Sequence, residues 1–153
     1  MKKTYFLILF LSILTFSAYS QSSEITDEQK IRNVINQFFS SLETKDTLLM
    51  KQTTMDEAQI WRRRNNKEPV EIDMRFRKDD LQKMPGYPKI KEVALSFKIS
   101  AENGIATAWV PYKFWIDDEF SHCGIDVFTL FEKDGKWKII STAYTIEKEN
   151  CDN

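Results

Sequence analysis

The hydrophobic pattern of this chain changes period once, and that change limits the folds open to it. Ile31, Val34, Ile35, Phe38, Phe39 and Leu42 recur three and four apart, which puts them on one broad helical stripe. From Ile90 onward the spacing becomes two, with Val93, Leu95, Phe97 and Ile99 alternating with smaller or polar residues. Turn signals then cut the rest into strands. Glu102-Asn103-Gly104 precedes a strand over 105–116, and Asp117-Asp118-Glu119 follows it. Asp134-Gly135 joins a strand over 122–132 to one over 136–147. Helices followed by an antiparallel meander predict an α+β domain, with the helices on one face of the sheet.

The helical part opens on a capping box, Thr26-Asp27-Glu28-Gln29, and its first helix should end near Lys45. A short helix over 47–52 is expected next, then a hairpin of 57–64 with 69–73 around Asn65-Asn66-Lys67. One more short helix over 79–84 is stopped by Pro85-Gly86 and Pro88. With 153 residues, 42% hydrophobic and 13% aromatic, the chain has enough apolar surface for one core. Whole-chain disorder is excluded.

The first twenty residues stand apart from that core. Lys2 and Lys3 precede an apolar run from Tyr5 to Phe16, and Ala18-Tyr19-Ser20 reads as a cleavage site. This predicts a signal peptide over 1–20, a short linker over 21–25 and a domain over 26–151. The run is shorter than the ~20 residues a bilayer span needs, so no membrane association is expected after cleavage. The exported protein would be periplasmic or secreted. Losing Lys2 and Lys3 takes the formal charge from −1 to −3, which argues against nucleic acid as a partner.

Turn lengths give a provisional register. A two-residue turn at Asp134-Gly135 sets His122 opposite Glu147 and Asp126 opposite Ala143. A return through Asp117 to Phe120 sets Trp115 opposite His122 and Pro111 opposite Asp126. One face then carries Trp109, Lys113, Trp115, His122, Asp126, Phe128 and Ser141, and a one-residue bulge would exchange the faces. One His, one Asp and one Lys among tryptophans make a pocket lining, since unpaired buried charge is costly. These seven residues are the candidate ligand contacts; groups at strand ends in water are the alternative. His122 and Asp126 are the candidate catalytic groups, but four strand residues hold them ~13 Å apart. The other face, also apolar, needs cover that one domain lacks, and a second copy would supply it.

Other chemistries find little support. A single histidine excludes a three-His zinc site, and His122 and Cys123 point to opposite faces, so no metal is expected. The same alternation argues against Ser121-His122 as a nucleophile–base pair. Four scattered glycines make no phosphate-cradling loop, and no cofactor is implied. Trp61-Arg62-Arg63-Arg64 reads as a solvated hairpin tip. An exported chain with two cysteines invites a Cys123–Cys151 disulfide, for which the tail after Glu147 must turn back. Free thiols, or a bridge between chains, are the alternatives.

Several segments are similar to a known superfamily. Val-Pro-Tyr-Lys-Phe at 110–114, Phe-Ser-His-Cys-Gly at 120–124, Phe-Thr-Leu-Phe at 128–131 and Gly-Lys-Trp-Lys-Ile at 135–139 resemble exported bacterial members of the nuclear transport factor 2-like superfamily. The group concerned is called SnoaL-like or putative lumazine-binding. The resemblance spans roughly 26–151, although the Glu147–Cys151 end is less basic than that pattern. It implies a cone: a long helix and short helices against a curved antiparallel sheet, with an apolar pocket inside and dimers through the outer face. Three functions follow as expectations. The first is a binder of a small, mostly apolar molecule, and the second an isomerase- or dehydratase-type acid–base enzyme using His122 or Asp126. The third is a dimerising module without ligand.

Overall fold

The computed structural model describes residues 25–151. The expected signal peptide and all of the expected linker except Ile25 lie outside the described residues. Helix α1 (Asp27–Thr44) begins where the capping box places it. The Thr26 hydroxyl accepts from the Gln29 N–H at 3.3 Å, and the Gln29 side chain accepts from the Thr26 N–H at 2.9 Å. Lys45, left-handed at φ 57°, closes the helix. Helix α2 (Thr47–Thr53) follows, capped by Asp46. Strands β1 (Thr54–Arg64) and β2 (Glu71–Phe76) form the expected hairpin, and α3 (Arg77–Lys83) runs into a 3-10 turn over Met84–Gly86.

The meander consists of β3 (Ile90–Ala94), β4 (Lys98–Glu102), β5 (Ile105–Ile116), β6 (Glu119–Lys133) and β7 (Lys136–Ile146). Hydrogen bonding gives the order β2-β1-β7-β6-β5-β3, with β4 also on β5. Two expectations need correction. The sheet is not wholly antiparallel, because β1 runs parallel to β7. The first meander strand is also split: β3 and β4 pair with successive parts of β5, and the break at 95–97 changes which side chains face inward. Ile90 and Glu92 face in before it, and Phe97 and Ile99 pack on the core after it, while Leu95 is exposed.

Register is the third correction. Asn103-Gly104, Asp117-Asp118 and Asp134-Gly135 each have two positive φ angles, the signature of a two-residue type I′ turn. Ile116 therefore pairs with Glu119, not with a residue beyond Phe120, and Ser121 is an extra residue in β6. Phe114 faces His122 and Val110 faces Asp126, one place from expectation. Ile140 is a second extra residue, so beyond it Thr142 and Tyr144 turn inward and Ser141 outward. A strand displaced by one residue reverses its faces. Trp109, Lys113 and Trp115 on β5 and Ser141 on β7 thus leave the inner face they were expected to share with His122.

The core fills half of that inner face. Ala106 and Ala108 leave room for Phe38 and Phe39 of α1 to meet Phe128, with ring centroids 5.7 and 5.8 Å from it. Leu130, Trp137 and Ile139 complete the layer. The outer face carries an apolar row read straight across the ladder: Met74, Trp61, Ala143, Val127 and Trp109. Trp109 is 51% exposed and Trp61 42%. Trp61-Arg62-Arg63-Arg64 is therefore sheet, not a hairpin tip.

The C-terminal tail turns back as required. Cys123 and Glu147 exchange backbone hydrogen bonds, Asn150 takes a left-handed φ of 59°, and Cys151 is disulfide-bonded to Cys123 with Cα atoms 5.6 Å apart.

Candidate functional site

Toward the C-terminal end of α1 the inner face stays open as a cavity of about 420 Å³. Its apolar lining is Phe38 and Leu42 from α1, Ile60 from β1, and Phe114 and Ile116 from β5. Polar side chains stand among these, Ile60 pairing with Arg75 and Thr142 and Phe114 with Glu92, and chain topology assembles them from five elements. Arg75 comes from β2, Arg77 and Asp80 from α3, Glu92 from β3, Asp126 from β6, and Thr142 with Tyr144 from β7.

Asp80 organises the cationic part. It accepts from Arg75 Nε at 2.7 Å, Arg77 Nη1 at 3.2 Å and the Tyr87 hydroxyl at 3.3 Å. Arg77 is 3% exposed and lies over the Phe38 ring at 4.6 Å, a cation–π contact on its buried side. Burial lowers its pKa to about 10, with Asp80 working in the opposite direction, so it stays charged at neutral pH. Two guanidinium groups thus share one carboxylate.

Asp126 and Glu92 form the acidic part, in side-chain contact with one another. Burial pushes the Asp126 carboxyl well above its ordinary range, and the Glu92 charge and hydrogen bond push it further. Burial also raises Glu92, to about 7, while its hydrogen bond to Asp126 and the charge of Arg77 restrain the rise. Two adjacent carboxyls in low dielectric cannot both ionise cheaply, so the pair shares a proton near neutral pH. Glu92 as a residue is partly exposed because it also borders a shallow groove beside Phe39 and Phe97, whereas Asp126 is 3% exposed.

Tyr112 braces the middle of the cavity. Its hydroxyl donates to the Thr145 carbonyl at 2.7 Å, and its ring passes over Gly124. A Cβ on Gly124 would stand 2.1 Å from the Thr145 oxygen and 2.9 Å from the ring, so only glycine fits. Burial raises the Tyr112 phenol, which remains a neutral donor.

His122 lines the cavity on the other side of Tyr112. It stacks on Phe114 with centroids 4.7 Å apart, and burial lowers it to about 4, with Lys148 adding to the effect. The ring is neutral at pH 7. Its Nδ1 lies 3.0 Å from Ser121 Oγ, a contact that strict strand alternation had ruled out. The extra residue at Ser121 breaks the alternation and brings the two side chains together.

Of the seven expected ligand contacts, His122 and Asp126 line the cavity and Phe128 lies in the filled core beside it. Trp109, Lys113, Trp115 and Ser141 do not reach it, for the register reasons above. Sequence reasoning missed Glu92 and the Arg75–Arg77–Asp80 group. The Arg77–Asp80 spacing of three on a short helix was the available signal for the latter.

Residues 26–145 match the family described as "Putative lumazine-binding". The chain belongs to that family. No functionally curated protein matches it. Among solved structures, an NTF2-like protein from Cytophaga hutchinsonii is similar at TM-score 0.67 and 11% identity, covering 80% of this chain and 99% of that one. A cystatin-like-fold protein of unknown function from Nostoc punctiforme gives TM-score 0.65 and 15% identity, over 82% and 96% of the two chains. A putative ketosteroid isomerase from Shewanella frigidimarina gives 0.57 and 20%, over 75% and 94%. At these identities the likeness establishes a nuclear transport factor 2-like fold, as the sequence resemblance implied, and nothing of the chemistry.

Proposed function

We propose that this family member is an exported protein that binds a small molecule with an apolar body in its cavity. The cavity itself carries the reading. Its volume of about 420 Å³ falls in the range of ligand pockets, and its lining combines apolar side chains with a few convergent polar groups. Export is supported by the leader-like first twenty residues and by a disulfide, a bond that persists in oxidising compartments. Native mass spectrometry of protein purified from its own cell envelope tests binding. A stoichiometric small-molecule adduct that disappears in an Ile60→Trp variant is expected, and adduct-free protein from every preparation would overturn the proposal.

One observation favours a second reading. A carboxyl pair holding one proton offers both an acid and a base at neutral pH, as proton transfer at a carbon next to a carbonyl requires. Turnover of a bound ketone that survives His122→Gln but is lost in Asp126→Asn would replace binding by acid–base catalysis through Asp126. We further propose that a second copy covers the Met74–Trp61–Ala143–Val127–Trp109 row, since contiguous exposed apolar surface of this kind marks an interface. Sedimentation should show a dimer that Trp109→Glu converts to monomer; a monomeric parent protein would defeat it.

A further inference from the structure

Arg62, Arg75 and Tyr144 stand on three neighbouring strands, β1, β2 and β7, and all three line the cavity. Asp73 faces Arg62 across the ladder and Arg75 is two residues further along β2. The two arginines are therefore diagonal neighbours about 7–8 Å apart at Cα, within reach of long side chains. Tyr144 faces Arg62 from the other side, and its hydroxyl accepts from Arg75 Nη1 at 3.4 Å. Each group keeps a donor to spare. Arg62 gives Nε and Nη2 to Asp73, and Arg75 gives Nε to Asp80. Arg62 Nη1 and Arg75 Nη2 are left without a hydrogen bond among the described residues. Tyr144 accepts from Arg75, so its own proton is free to donate.

These donors are accessible, whereas the nearby carboxyls are closed off. The Arg62 and Arg75 side chains are 27% and 31% exposed, against 5% for the Asp80 side chain and 3% for Asp126. Charge adds to the bias. Arg62, Arg75, Arg77 and Lys83 line the cavity, facing Asp80 and a carboxyl pair that carries one charge between its members. Asp73, which holds Arg62, brings the negative charges to three and is itself shared with Arg64. Lys83 is exposed and makes no ion pair among the described residues. One positive charge is left over, in a chain whose formal net charge is −1.

We propose that the cavity's occupant is an amphipathic carboxylate, its head group held by Arg62, Arg75 and the Tyr144 hydroxyl and its apolar body by side chains such as Phe38, Ile60 and Phe114. This rests on the reading of the cavity as a small-molecule site and names the class of molecule it takes. A carboxylate only accepts hydrogen bonds, which suits a corner of open donors, and its planar pair of oxygens matches guanidinium geometry. Its single negative charge meets the one positive charge left over. A phosphate dianion would exceed that charge, an amine would be repelled, and an alcohol would gain hydrogen bonds without the charge.

A series on one phenylpropyl body tests this by titration calorimetry at pH 7: 3-phenylpropanoate, 3-phenylpropanol, 3-phenylpropylamine, 3-phenylpropyl phosphate and propylbenzene. 3-Phenylpropanoate should bind about tenfold more tightly than any other member, and its affinity should fall with added salt. Tyr144→Phe and Arg62→Gln should each weaken it about three- to tenfold while propylbenzene binding is unchanged. Tightest binding by the phosphate, the alcohol or the amine would overturn the head-group assignment. So would carboxylate binding that both substitutions leave intact. Equal binding of 3-phenylpropanoate and propylbenzene would overturn it too, yet leave the cavity reading standing. Binding by no member of the series would remove both.

Discussion

The two halves of the sheet's inner face use the same three strands and reach opposite ends. Toward the turns at Gly104 and Gly135, β5 contributes alanines and β6 contributes Phe128 and Leu130, and the rings of α1 fill the space between. Toward the other end, α1 has run out at Thr44, and the elements facing the sheet bring Arg75, Arg77 and Asp80 instead of apolar groups. Small residues beneath a helix close a layer. Over the cavity α1 supplies only Phe38 and Leu42, and the short α3 presents Arg77 and Asp80, so the space is not filled.

The widest gap between the halves should appear on truncating their centres. Phe128→Ala in the filled half should cost about 3–5 kcal/mol by denaturant titration, since no neighbour can collapse into the space. A loss under about 1 kcal/mol would mean that the filled half is no more tightly packed than the open one. Next comes the edge of the open half. Replacing Cys123 and Cys151 together by serine removes closure of a loop 28 residues long, worth up to ~3.5 kcal/mol. Amide exchange should accelerate around 146–147 while α1 amides keep their relative protection; uniform acceleration would break the distinction.

Within the open half, Gly124→Ala should cost about 1–3 kcal/mol, because the methyl collides with the Thr145 carbonyl and displaces the Tyr112 ring. An unchanged melting midpoint would show that Tyr112 does not brace the cavity. The smallest effect is one of pH. Asp126 and Glu92 bind protons more tightly when folded, so stability should fall as pH rises from the unfolded carboxylate range through about 7. His122 acts in reverse, its stability contribution falling as pH drops from about 6.5 toward 4, so the two effects oppose each other over that range. Above pH 7 only the carboxyl slope remains, and Asp126→Asn should flatten it. A wild-type slope of zero between pH 7.5 and 8.5 would show that both carboxyls are already ionised in the folded protein.

Legibility in the sequence follows how local each determinant is. The capping box, the α1 stripe and the two X-Gly turns depend on neighbours, and the chain displays them openly. Asp117-Asp118 forms the same turn without a glycine, so its length is less apparent, and the one-residue error there moved three of the four misplaced pocket residues. Bulges at Ser121 and Ile140 carry no residue signature at all. Glu92 was hidden for a different reason. A charged residue in an alternating stretch reads as outward-facing, and only Asp126, brought beside it from a strand two places away in the sheet, gives it cause to face in. Asp126 and His122 were legible because each is an ionisable group in a strand whose other inward residues are apolar.

The parallel pairing of β1 with β7 has a consequence for the order of folding. Arg64 finds its ladder partner in Ile146, at the last residue of the final strand, and Asn65 donates to the carbonyl of that same residue. The hairpin made early in synthesis can therefore join the sheet only after the whole domain has been made. Such long-range closure slows folding and leaves the β1–β2 edge exposed until the end of the chain arrives. A chain built this way cannot lock into its native form while it is still being synthesised.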